Sequence, residues 1–93
     1  MDYEKASSFF KSLGNPTRLR IVRELVQGER CVGAVEDSVK ASQANVSQHL
    51  MVLKKQGIVA CRKEGNLRCY SLKNPELVRG VLTMLEDGER RAE

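Results

Sequence analysis

Apolar residues recur at helical spacing along most of the chain, and the period shortens only once. Ala6, Phe9, Phe10 and Leu13 stand at i, i+3, i+4 and i+7, predicting an amphipathic helix over 4–13 that Gly14 ends. Asn15-Pro16 restarts helix, since Asn caps well and Pro suits the first helical position. Leu19, Val22, Leu25 and Val26 form the buried stripe of this second helix, Gly28 stops it, and Arg18, Arg20 and Arg23 fall largely off the stripe. Val32, Val35 and Val39 keep helical spacing and predict a short third helix, against the weak helix propensity of Val. Lys40-Ala41 is a tight connection and Ser42 an N-cap. Val46, Leu50 and Leu53 then mark a fourth helix ended by Gly57.

The shorter period follows. Ile58–Lys63 and Leu67–Leu72 are short mixed runs flanking the turn composition Glu64-Gly65-Asn66, which predicts a β-hairpin. Asn74-Pro75 repeats the cap signal and opens a last helix carrying Leu77, Val78, Val81, Leu82 and Leu85. Residues 86–93 form a charged tail expected to fray. With no internal repeat or linker, residues 1–93 read as one domain. A short helix, a tight turn and a longer helix make a helix-turn-helix, and a hairpin directly after it makes a wing. The expected fold class is mainly α with a β-hairpin wing, a winged helix-turn-helix of order α-α-α-α-β-β-α.

Composition sharpens this. About a quarter of the chain is Leu, Val, Ile or Phe, enough to fold but with a marginal core for 93 residues. Phe9, Phe10 and Leu13 of the first helix, with Leu77, Val81 and Leu85 of the last, exceed what one small core covers. Those six residues are the candidate homodimer interface, because surplus apolar patches mark contacts. The net charge is +4, but Lys40–Lys73 alone holds seven basic residues and one acid, Glu64. Such concentration points to a polyanion, nucleic acid or a membrane surface, against a merely solvated basic face. No apolar run approaches the roughly 18 residues of a membrane span, and the first residues lack the apolar core of a signal peptide. A cytoplasmic chain without membrane partners is expected. With His49 as the only histidine and no Gly-rich loop or paired catalytic carboxylates, no acid–base pair suggests itself, so an enzyme is not expected.

On the fourth helix, Ala44, Ser47, Gln48, Met51 and Lys55 lie opposite the core stripe, with Gln43 and Asn45 in the first turn. This short polar face can donate and accept hydrogen bonds, as reading base edges in a major groove requires. The candidate contacts to double-stranded DNA are Ser42, Gln43, Asn45, Ser47, Gln48, His49 and Lys55 on the helix. On the wing they are Arg62, Lys63, Asn66 and Arg68, suited to phosphate. The alternative is a winged-helix protein-interaction module, for which a polar reading face and a basic wing together would have no use. Salt-dependent binding to duplex separates the two.

The stretch Leu13-Gly-Asn-Pro-Thr-Arg-Leu-Arg-Ile-Val-Arg-Glu-Leu25, followed by Ser42-Gln-Ala-Asn-Val-Ser-Gln-His-Leu50, Leu53 and Gly57-Ile58-Val59, resembles the ArsR/SmtB family. The likeness spans roughly residues 6–85. It implies a small dimeric winged-helix repressor of bacteria or archaea, found on the nucleoid when bound to DNA. Such a repressor binds an inverted-repeat operator and is released by a metal, a metalloid or a redox signal. The sensing residues depart from the family. Members that sense arsenite or soft metals through the third helix carry Cys-Val-Cys, whereas this chain reads Arg30-Cys31-Val32-Gly33. One thiolate makes neither a trigonal arsenic site nor a tetrahedral zinc site without ligands from elsewhere. The family's other site, of acids and histidines on the last helix, lacks support because residues 75–93 hold no His. The candidate sensors are Cys31, Cys61 and Cys69, taking an oxidant, arsenite or a soft metal. Cys31 also fits as a small buried apolar residue. With a three-residue hairpin loop Cys61 faces Cys69 and a bridge is within reach. With Gly65-Asn66 alone as the loop, Cys61 faces Tyr70.

Overall fold

Four of the five helices begin where a side chain supplies the acceptor that the first backbone N–H groups lack. The Asp2 carboxylate accepts from Lys5 N–H at 3.1 Å and opens α1 (Tyr3–Leu13). Asn15 Oδ1 accepts from Thr17 and Arg18 N–H at 2.9 and 3.1 Å and opens α2 (Pro16–Leu25). Ser42 Oγ accepts from Asn45 N–H at 3.2 Å and opens α4 (Gln43–Lys55), and Asn74 Oδ1 accepts from Leu77 N–H at 3.2 Å and opens α5 (Pro75–Ala92). The exception is α3 (Val32–Val39), whose N-cap, Cys31, makes no side-chain cap bond. Lys40 closes α3 in the left-handed conformation at φ 54°, which turns the chain sharply toward α4. The computed structural model describes residues 1–92, and the expected winged helix-turn-helix is the fold they adopt.

One element was not foreseen. Arg30–Cys31 forms a short strand, β1, which joins the hairpin strands β2 (Val59–Glu64) and β3 (Leu67–Leu72) in an antiparallel sheet of order β1-β3-β2. Two residues are too few to show a period of two, and the helical spacing of the neighbouring Val residues masked them. Glu64 pairs with Leu67, so the loop is Gly65-Asn66, with Gly65 at φ 61° as a two-residue hairpin turn requires. Cys61 consequently faces Tyr70, Arg62 faces Cys69 and Lys63 faces Arg68.

The core collects Ile21, Val22 and Leu25 from α2, Val35 and Val39 from α3, and Val46, Leu50 and Leu53 from α4. Ile58, Val59, Tyr70 and Leu72 enter from the wing side, and Val78 and Leu82 from α5. Leu13 belongs to it too, at 5% exposure, so it is not available to a second subunit. Its place at the end of α1, next to the α2 turn, draws it inward. The last helix differs from expectation in length, running to Ala92 where the charged tail was expected to fray. Arg23 pairs with Glu86 at 3.0 Å and Asp87 with Arg90 along this stretch, and Arg90 and Arg91 complement the helix C-terminus. Glu93 lies outside the described residues.

Replacing Asn15 with Ala removes the acceptor for two N–H groups and should cost about 0.5–2 kcal/mol. Asn15→Asp keeps the acceptor and should stay near wild type. Urea denaturation followed by circular dichroism at one protein concentration compares the three.

Candidate nucleic-acid interface

The rotation of α4 is fixed by Val46, Leu50 and Leu53, all completely buried. Gln43, Ala44, Asn45, Ser47, Gln48, Met51, Lys54 and Lys55 are exposed as a result. Ser42 is exposed as well, but its hydroxyl is engaged in the cap.

The wing has two faces, sorted by the alternation of its strands. Cys61, Lys63, Arg68 and Tyr70 share one face; Arg62, Glu64, Leu67 and Cys69 share the other. The first face meets α4. Gln43, Ser47 and Lys54 of the helix and Lys63, Asn66 and Arg68 of the wing line a single groove. Part of the polar helix face and two wing cations are thus brought together.

Arg62 is not part of that cluster. It lies on the opposite face, where its Nε and Nη2 donate to the Glu29 carboxylate at 2.8 and 2.7 Å and its Nη1 pairs with Glu64. The Arg62 hydrogen bonds hold Glu29 below its ordinary carboxylate pKa, and the two acids raise Arg62 in turn. The expectation of a free phosphate-binding cation at Arg62 is corrected: strand alternation turned it away, and Glu29, which the sequence reading missed, occupies it.

His49 also departs from a DNA-facing role. It is half-buried, with Nδ1 3.4 Å from Arg18 Nη1, while Arg18 Nε donates to the Ser12 carbonyl at 2.6 Å. This chain of contacts ties α4 to α2 and to the end of α1. Burial, and secondly the Arg18 charge, lower the His49 pKa and so favour the neutral ring. Arg18 was noticed only as lying off the apolar stripe; its i, i+3 offset from Asn15 gave no hint of a partner 31 residues away.

The cysteines pair in a way neither hairpin register suggested. Cys31 and Cys69 are register partners across β1 and β3, with Cα atoms 3.9 Å apart, and form a disulfide. Cys61, half-buried beside Tyr70, is free. A Cys61–Cys69 bridge is ruled out by the strand faces. Among the described residues no three His, Cys, Asp or Glu side chains come together as metal ligands. With Gly33 at the second position and Cys31 bonded to Cys69, the donor set within one subunit does not fit a third-helix thiolate site. A separate apolar hollow joins the terminal helices, where Ala6, Phe9 and Phe10 meet Leu77 and Val81. Phe10 is 61% exposed, Leu77 47% and Leu85 52%, while Val81 and Phe9 are half-buried. No helix of the described residues is long and apolar enough to cross a membrane.

Residues 15–60 match the model of the family described as bacterial regulatory protein, arsR family. An uncharacterized HTH-type transcriptional regulator of Methanocaldococcus jannaschii is 40% identical over 86 residues, spanning 91% of this chain and 96% of that protein. The chain belongs to the ArsR family. The cadmium resistance transcriptional regulatory protein CadC of Listeria innocua is 41% identical over 88 residues, 94% of this chain and 71% of that one. The solution structure of a homodimeric winged helix-turn-helix DNA-binding domain from Mycobacterium bovis superposes with a TM-score of 0.84 at 27% identity, covering 98% of this chain and 86% of that one. ArsR-family proteins are transcriptional regulators, not enzymes.

Because the native fold favours neutral His49, the unfolded chain takes up a proton first as pH falls through the ordinary value of 6.5. Stability contributed by the neutral ring is fully present above that pH and is lost below it. The thermal midpoint should drop between pH 7.5 and about 5.5, and His49→Gln should flatten this slope. Equal slopes in the two proteins would contradict the assignment.

Proposed function

We propose that this chain is a homodimeric transcriptional repressor that grips an inverted-repeat operator in double-stranded DNA and lets go on a cysteine-directed signal. The observation that carries it is the single groove shared by the exposed polar face of α4 and the wing cations Lys63 and Arg68. Gln43, Asn45, Ser47 and Gln48 read base edges, and Lys55, Lys63, Asn66 and Arg68 engage backbone phosphate. The apolar face of Phe10, Leu77, Val81 and Leu85, with Phe9 behind it, packs on its copy in a second subunit. The two-fold axis places the two α4 helices about one helical turn of DNA apart. The homodimeric form of the M. bovis relative supports this assembly. The protein works in the cytoplasm, on the nucleoid.

The signal acts on thiols. CadC is a cadmium resistance regulator, and a soft metal or arsenite here would need cysteines contributed by the partner subunit to complete its ligands. Oxidation needs no such help, because two cysteines already meet within one subunit.

Selection of bound duplexes from a randomised pool, followed by gel shifts across a salt series, tests DNA reading. Gln48→Ala should relax preference at one or two base positions by about 1–3 kcal/mol. Arg68→Ala or Lys63→Ala should weaken all duplexes alike and lower the salt slope by about 1. Arg62→Ala should leave that slope near wild type, since its charge is turned to Glu29. Binding insensitive to salt would favour a protein-interaction module instead. In sedimentation velocity at micromolar concentration, wild type should run as a dimer and Phe10→Lys with Leu77→Lys as a monomer. A wild-type monomer would overturn the assembly.

A further inference from the structure

We propose that Cys31 and Cys69 are a hydroperoxide-reactive thiol pair whose closure clamps the wing to the first helix of the helix-turn-helix. The pair sits at the one place where the backbone leading into α3 touches the wing. β1 contributes only two residues to the sheet, Arg30 opposite Tyr70 and Cys31 opposite Cys69, so pairing by backbone hydrogen bonds is minimal there. Beyond those bonds, β1 is joined to the wing by the exposed Glu29–Arg62 ion pair and the sulfur–sulfur bond. An exposed ion pair adds little. The covalent bond adds a fixed tie to the packing of α3 on β3.

The two sulfurs differ in the way a reacting pair needs. Cys31 is half-buried and occupies the N-cap of α3, where unpaired backbone N–H groups favour negative charge, the nucleophilic state of a thiol. Cys69, 3% exposed on the central strand, is shielded and is its register partner. An accessible thiol beside a resolving one is the arrangement that oxidants close. The Cys31 thiolate attacks the peroxide oxygen, the O–O bond breaks, and Cys31 becomes a sulfenic acid as an alcohol or water leaves with the thiol's proton. The Cys69 sulfur then attacks the Cys31 sulfur, the S–O bond breaks, and the hydroxyl leaves as water with the Cys69 proton. Two electrons pass from the two sulfurs to the peroxide. A dithiol reductant reverses the closure by thiol–disulfide exchange. Cys61 takes no part, since the alternation of β2 puts it on the opposite sheet face.

Clamping acts on the groove. Lys63 and Arg68 stand on the strands that the bond fixes, and α3 packs directly on α4. The open pair lets the wing settle on phosphate; the closed pair holds it at one angle to α4. This last step rests on the proposed DNA reading, and its expected size is a loss of about 5–150-fold in duplex affinity on closure.

The test uses the full-length Cys61→Ser protein, reduced and then treated with stoichiometric hydrogen peroxide. Intact mass should fall by two hydrogens per chain, and peptide mapping should show Cys31 joined to Cys69. Dithiothreitol should restore the mass. Hydrogen exchange should slow at β1, β3 and the start of α3 on closure. Cys31→Ser, the milder change because its side chain is half-exposed, should abolish the mass loss and the slowing while keeping the wild-type circular dichroism. A Cys31–Cys69 bond that does not form, or exchange that does not change when it does, overturns the proposal without reference to DNA. Gel shifts on the selected duplex then compare the two states. Equal affinity in both overturns the coupling to the groove, whereas absence of binding in either state overturns the DNA reading and leaves the mass and exchange results to decide the pair.

Discussion

The two-residue turn at Gly65-Asn66 sets the chemistry of the wing. Because side chains alternate strictly along a strand, moving the turn by one residue would exchange every pair of neighbours between the two faces. With Glu64 opposite Leu67, Lys63 and Arg68 face the groove beside α4, and Arg62 faces Glu29. The same register puts Cys69 on the face away from Cys61, and the separate pairing of β1 with β3 sets Cys31 opposite Cys69. The cation cluster and the separation of Cys61 from Cys69 are thus two consequences of one local constraint, a glycine at φ 61° that permits the tight turn.

The helices were legible because their signals are local. A cap residue, an apolar stripe and a terminating glycine fall close together along the chain, and the side chains of Asn15, Ser42 and Asn74 all accept bonds from the turns they precede. What stayed hidden depends on contacts between distant segments. β1 is a strand only because β3 lies beside it. Arg62 looks like a free cation until Glu29, 33 residues earlier, is brought to its face. His49 sits within a motif that resembles a DNA-reading run, yet its ring is turned back to Arg18 by the packing of α4 on α2. Leu13 has the spacing of an exposed stripe, but the turn into α2 carries it into the core. Periodicity assigns a face to each residue; it does not say which face meets which neighbour.

The departure of this chain from the metal-binding pattern of its family follows the same logic. A third-helix thiolate site needs two cysteines two residues apart on one short element, and Gly33 removes the second. The remaining cysteine is not left as a half-site. It stands at the N-cap of α3 across from Cys69, so the sulfur that would have been a metal ligand is instead a partner for a second sulfur on the wing. A tetrahedral or trigonal site has to be satisfied by three or four donors at fixed distances, whereas a thiol pair needs only one neighbour. Loss of one ligand therefore need not end communication between α3 and the wing.

The proposed communication is short in space. Helix α3 packs against α2, α4 and the sheet, while α4 also contacts β2, so the short helix lies between α4 and the wing. Its own hold is weak: eight residues, three of them Val, no side-chain cap, and a left-handed Lys40 at its end. Val35 and Val39 anchor it to the core, while at its N-terminal end Val32 packs against the core only half-buried and β1 leads in. An element held firmly at one end and lightly at the other can be biased by a single bond at the light end. Cys31 is at that end, while the residues that face DNA in the proposed complex lie on α4 and the wing to either side. The fold places its shortest helix between its two candidate contact surfaces, and in the proposed switch a bond of one residue to one residue governs their relative angle.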